Sequence, residues 1–118
     1  CDYVIPESAS EIGGRDKHAI VNSELFGNLP DAIGICGANA GKKIDLEFMQ
    51  EIRAQSPDTV LFATTGVNID TIEEIYDVAD AAFIATHFKK EGIFENEVDE
   101  ARVRRFMDKL KAYRRTLA

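Results

Sequence analysis

Residues 58–92 read DTVLFATTGVNIDTIEEIYDVADAAFIATHFKKEG. An apolar run from Thr59 to Ala63 stops at Thr64-Thr65-Gly66, and a second, Ala81 to Ala85, stops at Thr86-His87-Phe88-Lys89-Lys90. Between them a helix is expected to open near Asn68 to Asp70. Asp70 and Glu73 have capping-box spacing, and Ile69, Ile72, Ile75, Tyr76 and Ala79 recur on one face. Two strands joined through a helix are normally parallel, so both polar ends emerge on one side of a sheet. α/β proteins place their ligand sites on that side.

Upstream the same alternation recurs. Ala32 to Cys36 is a short apolar run without helical spacing, followed by the turn Gly37-Ala38-Asn39-Ala40-Gly41. Asp45 is a good N-cap for a helix over 46–55, with Leu46, Phe48, Met49 and Ile52 facing inward and Ser56-Pro57-Asp58 ending it. Downstream, a loop over 86–98 leads to Asp99. That residue caps a final helix from Glu100 to about Thr116, whose stripe is Val103, Phe106, Met107, Leu110, Tyr113 and Leu117. Residues 1–30 form a less regular N-terminal unit. Asp2 to Pro6 is a candidate strand, Gly13-Gly14 marks a turn, 17–21 suits a strand end or a helix start, and 23–28 suits a short helix.

The expected fold class is therefore α/β: one domain of three to four parallel βα units, with strands near Ile33, Leu61 and Phe83. The repeat of about 25 residues fits a TIM-type (βα)8 barrel or an open sheet. Four units cannot close such a barrel, so the chain reads as half of one, or a fragment. Its uncovered faces would call for another half-barrel or a second copy of itself.

Composition excludes several function classes. A formal charge of -7 argues against a general nucleic-acid binder, which needs a basic face. Of the nine basic residues after position 58, seven fall between Arg102 and Arg115. They alternate with Glu100 and Asp108 opposite the apolar stripe, as on a solvated helix face. No apolar run approaches the roughly 18 to 20 residues a membrane span requires, and a cytoplasmic protein is expected. Cys1 and Cys36 make no metal or CxxC spacing, and Cys36 suits a buried free thiol. The start at Cys1 is more simply explained by a piece of a longer chain than by a mature lipoprotein.

Several blocks together resemble the BtpA/SgcQ family. They are Lys17-His18-Ala19; Gly37-x-x-x-Gly41 with Asp45-Leu46; Thr65-Gly66-Val67; Ala79-Asp80-Ala81-x-x-Ile84-x-Thr86-x-Phe88-Lys89-x-x-Gly92; and Asn96-x-Val98-Asp99-x-x-Arg102-Val103. The resemblance implies a (βα)8 barrel, of which this chain matches the C-terminal half, and an association with membrane-complex or photosystem biogenesis. It implies no particular reaction or cofactor. Ala85 stands where the family usually has glycine, and Thr64-Thr65-Gly66 where it usually has Gly-Ser-Gly. Each added side chain narrows a site that glycines would open.

The expected chemistry sits on the strand ends. Backbone N–H groups at a turn or helix start, with hydroxyl and amine donors beside them, suit a small phosphorylated ligand. Gly37, Gly41, Thr65, Gly66, Thr86 and Lys89 are the binding candidates. Lys17 and His18 are the catalytic candidates, because histidine titrates near neutrality and lysine can pair with an anion. No nucleophile–base constellation is readable. A non-enzymatic assembly factor with the same fold is the alternative.

Overall fold

The computed structural model describes residues 2–3, 16–37 and 43–118. Four strands, β1 (Asp2–Tyr3), β2 (Ile33–Ile35), β3 (Leu61–Ala63) and β4 (Ala81–Ala82), form one sheet in the order β1-β2-β3-β4. Every neighbouring pair is parallel, with Ile33 opposite Leu61 and Ala63 opposite Ala82. The helices are α1 (Lys17–Gly27), α2 (Leu46–Gln55), α3 (Ile72–Tyr76) and α4 (Glu100–Leu117), one after each strand. The fold is thus α/β with parallel βα units. Among the described residues no helix is long and apolar enough to cross a membrane.

Local chemistry explains most of the boundaries. Asp45 caps α2 by accepting from the Phe48 N–H at 3.0 Å, and Asp99 caps α4 by accepting from the Ala101 and Arg102 N–H groups. Asp16 does the same for α1, which resolves the ambiguous 17–21 segment as the start of a helix continuous with 23–27. The capping box expected at Asp70 does not form. Asn68 Oδ1 instead accepts from the Asp70 and Thr71 N–H groups, an Asx turn that delays α3 to Ile72. The last apolar run pairs over only two residues. Phe83 still donates its N–H to the Ala63 carbonyl, and the chain then winds into a 3-10 turn at Thr86–Phe88.

Burial separates the two faces of the sheet. Ile33, Ile35, Leu61 and Ala63 are fully buried and share a core with Val21 of α1, Phe48, Met49 and Ile52 of α2, Ile72 and Ile75 of α3, and Phe106 and Leu110 of α4. Residues between them in strand register point the other way. There Phe62 is half-buried and stacks on Phe83, 5.4 Å between ring centres, with Phe83 itself 51% exposed. Leu117, counted into the α4 stripe from its spacing, is exposed at the helix end.

The N-terminal ends of β3 and β4 are tied by one residue of α2. Arg53 donates from Nη1 to the carbonyls of Pro57 and Thr59, and from Nε and Nη2 to that of Val78. Its Nη2 also reaches Asp80 Oδ2 at 2.5 Å, and that oxygen accepts from the Leu61 N–H at 2.9 Å. Leu61 and Asp80 are thereby held in register before either strand begins.

Candidate functional site

At the opposite, C-terminal ends of β3 and β4 the chain opens into a cavity of about 500 Å³. Its floor is Thr64, Thr65, Gly66, Val67 and Asn68; its sides are Phe83, Ala85, Thr86 and His87, with Gly92, Phe94 and Arg102 closing it. Gly66 has φ 68°, a conformation that glycine adopts without the Cβ penalty, so the turn after β3 requires it. Its carbonyl accepts from Asn68 Nδ2 and Thr71 Oγ1, both at 3.4 Å, which fixes the loop over the cavity. Among the described residues the Gly66 and Thr86 N–H groups donate to no acceptor.

The hydroxyls of the two threonines are already engaged with β2. Thr64 Oγ1 donates to the Ile35 carbonyl at 3.0 Å, and Thr65 Oγ1 accepts from the Gly37 N–H at 2.8 Å. The Thr65 hydroxyl keeps its own proton for donation. The structure therefore brings Gly37, Thr65, Gly66 and Thr86 together at the strand ends. Thr64 and Ala85 both line the cavity. Gly41 lies outside the described residues. Lys89 follows the Thr86–Phe88 turn, where its backbone bridges to Val98, and its side chain is not part of the cavity wall.

Lys17 and His18 occupy the first turn of α1 and face α2. Lys17 Nζ pairs with Asp45 Oδ2 at 2.7 Å and lies over the Phe48 ring. The Lys17 contact, with the Phe48 N–H, holds the Asp45 carboxyl below its ordinary value. His18 Nε2 pairs with Glu51 Oε2 at 2.6 Å, and its ring meets Phe48 edge-on at 5.2 Å. Neither residue lines the strand-end cavity.

Two polar residues of the cavity, His87 and Arg102, were not among the binding or catalytic candidates read from sequence. His87 lies against the buried Phe106, and burial, then the Arg102 charge, lowers its pKa against a smaller upward pull from Asp70. Arg102 donates from Nε to the His87 carbonyl at 2.6 Å. The linear signals for Arg102 were its place in the family-like block Asn96-x-Val98-Asp99-x-x-Arg102-Val103 and in the first turn of α4, three residues after the cap Asp99; nothing in the spacing linked it to a loop fifteen residues earlier.

Parallel strands with connecting helices, and a cavity at the carboxyl ends of the strands, make this an α/β protein. Residues 2–112 match the model of the BtpA family, and the chain belongs to that family. It is 42% identical over 112 residues to the putative sgc region protein SgcQ of Escherichia coli K12, an alignment covering 95% of this chain and 42% of SgcQ. An uncharacterized protein of Thermococcus kodakarensis is 28% identical over 88 residues, covering 75% of this chain and 33% of that one. Another, of Methanocaldococcus jannaschii, is 29% identical over 80 residues, covering 68% and 30%. The chain thus spans less than half the length of each of these relatives. No solved structure matches it significantly.

Proposed function

We propose that the chain forms the C-terminal half of a (βα)8 barrel and binds a small phosphorylated ligand at the C-terminal ends of β3 and β4. The carrying observation is the cavity itself. It lies in a βα-loop cluster and presents two uncommitted backbone N–H groups, at Gly66 and Thr86, beside the Thr65 hydroxyl. Such donors suit the oxygens of a phosphoryl group. Gly37 donates its N–H to the Thr65 hydroxyl, Lys89 adds cationic charge after the Thr86–Phe88 turn, and Gly41 is kept as a binding candidate from sequence. The barrel reading draws support from the four-strand parallel order and from the weaker burial of the Phe62–Phe83 face, which the missing half would cover. That half is either the rest of a longer chain or a second copy.

Titration with inorganic phosphate and sugar phosphates, read by amide NMR, tests the ligand. Shifts at Gly66 and Thr86 are expected, and their absence would sink the reading. The candidates for catalysis are Lys17 and His18, which stand outside the cavity and are paired with Asp45 and Glu51; turnover lost in Lys17→Ala and His18→Ala with folding intact would identify them. A second reading, an assembly factor without turnover, is favoured by the pairing of both side chains with carboxylates of α2. Solution mass separates a self-paired half-barrel from a monomer.

A further inference from the structure

We propose that Arg102 is the specificity-determining residue of the strand-end cavity: its guanidinium grips the phosphoryl group, while the ring of Phe94 receives the ligand's carbon skeleton. The inference rests on the phosphorylated-ligand reading and adds to it the group that selects for charge. Three observations converge on Arg102. The first is placement. Asp99 caps α4 through the Ala101 and Arg102 N–H groups, which sets Arg102 in the first helical turn, half-buried in the cavity wall.

The second is orientation. One donor, Nε, is spent on the His87 carbonyl at 2.6 Å, and that contact fixes the plane of the guanidinium. The fork of terminal N–H groups on Nη1 and Nη2 is left over, in the geometry that matches phosphate bidentately. Among the described residues no carboxylate pairs with it, whereas Arg53 has Asp80 and Arg104 has Glu100. A half-buried cation without a counter-ion is a cost that an anionic ligand offsets.

The third is accommodation. Gly92 sits at φ +69° beside the guanidinium, and a Cβ there would lie 3.4 Å from Arg102 Nη2. A side chain at 92 would be strained by the positive φ, and its Cβ would touch the fork. Phe94 lines the same cavity at 64% exposure, aromatic surface available to the ligand's carbon skeleton. Lys89, the cation favoured by its place in the family-like block, is not part of this wall.

The test is calorimetric and NMR titration of the 118-residue chain with ribose 5-phosphate and with ribose. Wild type, Arg102→Gln, Arg102→Lys and the surface control Arg104→Gln are compared. Arg102→Gln is expected to weaken ribose 5-phosphate by about tenfold or more, the scale of a lost charge-assisted pair, and to leave ribose unchanged. Arg102→Lys falls between, because it keeps charge without the fork, and Arg104→Gln binds as wild type. Arg102→Gln binding ribose 5-phosphate as tightly as wild type, with shifts still present at Gly66 and Thr86, overturns the role of Arg102 and leaves the site standing. No shift in wild type overturns both. If Arg102→Gln loses its dispersed amide spectrum, Arg102→Lys decides: wild-type selectivity for the phosphate over ribose contradicts the proposal, and reduced selectivity supports it.

Discussion

The two ends of the β3–β4 pair are built for opposite purposes. At the N-terminal end one arginine satisfies three carbonyls and a carboxylate, and that carboxylate in turn holds the Leu61 N–H. At the C-terminal end the Gly66 and Thr86 N–H groups have no partner among the described residues, a positive-φ glycine stands in the turn, and the loops enclose a cavity of about 500 Å³. Polar groups saturated by protein fix register. Polar groups left over are available to something else, and an arginine stands at each end to make the contrast plain: Arg53 is fully engaged and Arg102 is engaged through one nitrogen.

Substitutions at the two ends should therefore differ in kind. Leu61→Ala, at a fully buried position just above the clamp, is expected to cost about 3 kcal/mol of unfolding free energy by urea titration. Arg53→Ala follows at about 2–3 kcal/mol, since it strips partners from several backbone carbonyls at once. A loss no larger than that of an average surface mutant would break the comparison.

Asp80→Asn sharpens it through pH. The Leu61 N–H, then Arg53, holds the Asp80 carboxyl below its ordinary value of 3.8. A carboxyl with a lower pKa folded than unfolded stabilises the fold above the unfolded pKa, and the contribution is lost as pH falls through the folded pKa. The wild-type advantage over Asp80→Asn should be about 0.5–1 kcal/mol near neutrality, limited by solvent exposure of the pair, and should vanish below the lowered Asp80 pKa. An advantage that persists there would argue that charge is not what ties this end.

At the other end, Thr86→Ala should leave stability within about 0.5 kcal/mol of wild type, because an exposed hydroxyl without a protein partner holds nothing together. The smallest expected effect is a titration shift. Arg102→Gln should raise the His87 pKa towards its ordinary 6.5 yet leave it lower, since burial is the larger cause. An unmoved His87 resonance would mean that the Arg102 charge does not act on the cavity.

How much of this was legible in the linear chain follows from the range of each interaction. The helix over 46–55 was readable to the residue, because its cap and its stop, Asp45 and Pro57, are local. The start of α3 was misplaced because Asn68 and Asp70 are both capping residues. The choice between them depends on the Gly66 turn, whose carbonyl holds Asn68 and Thr71. The last strand was too long by three residues, since an apolar run cannot announce where its neighbour, Ala63, stops offering carbonyls. The strand-end loops were found from their polar punctuation, and with them Thr65, Gly66 and Thr86. Arg102 was visible only as part of the family-like block, and its place in the cavity arises only when α4 packs against the Thr86–Phe88 turn. Lys17 and His18 drew attention as a charged pair, and their partners Asp45 and Glu51 lie 28 and 33 residues away.

The most direct test sets the two ends against each other in one experiment. Ribose 5-phosphate is titrated into the 118-residue chain, and amide shifts are followed at Gly66 and Thr86 above the strands and at Leu61 and Asp80 below them. Saturable shifts at the first pair, with the second pair unmoved, are the predicted result. Shifts absent from Gly66 and Thr86, or equal at both ends, would contradict a phosphoryl site at the C-terminal ends of β3 and β4.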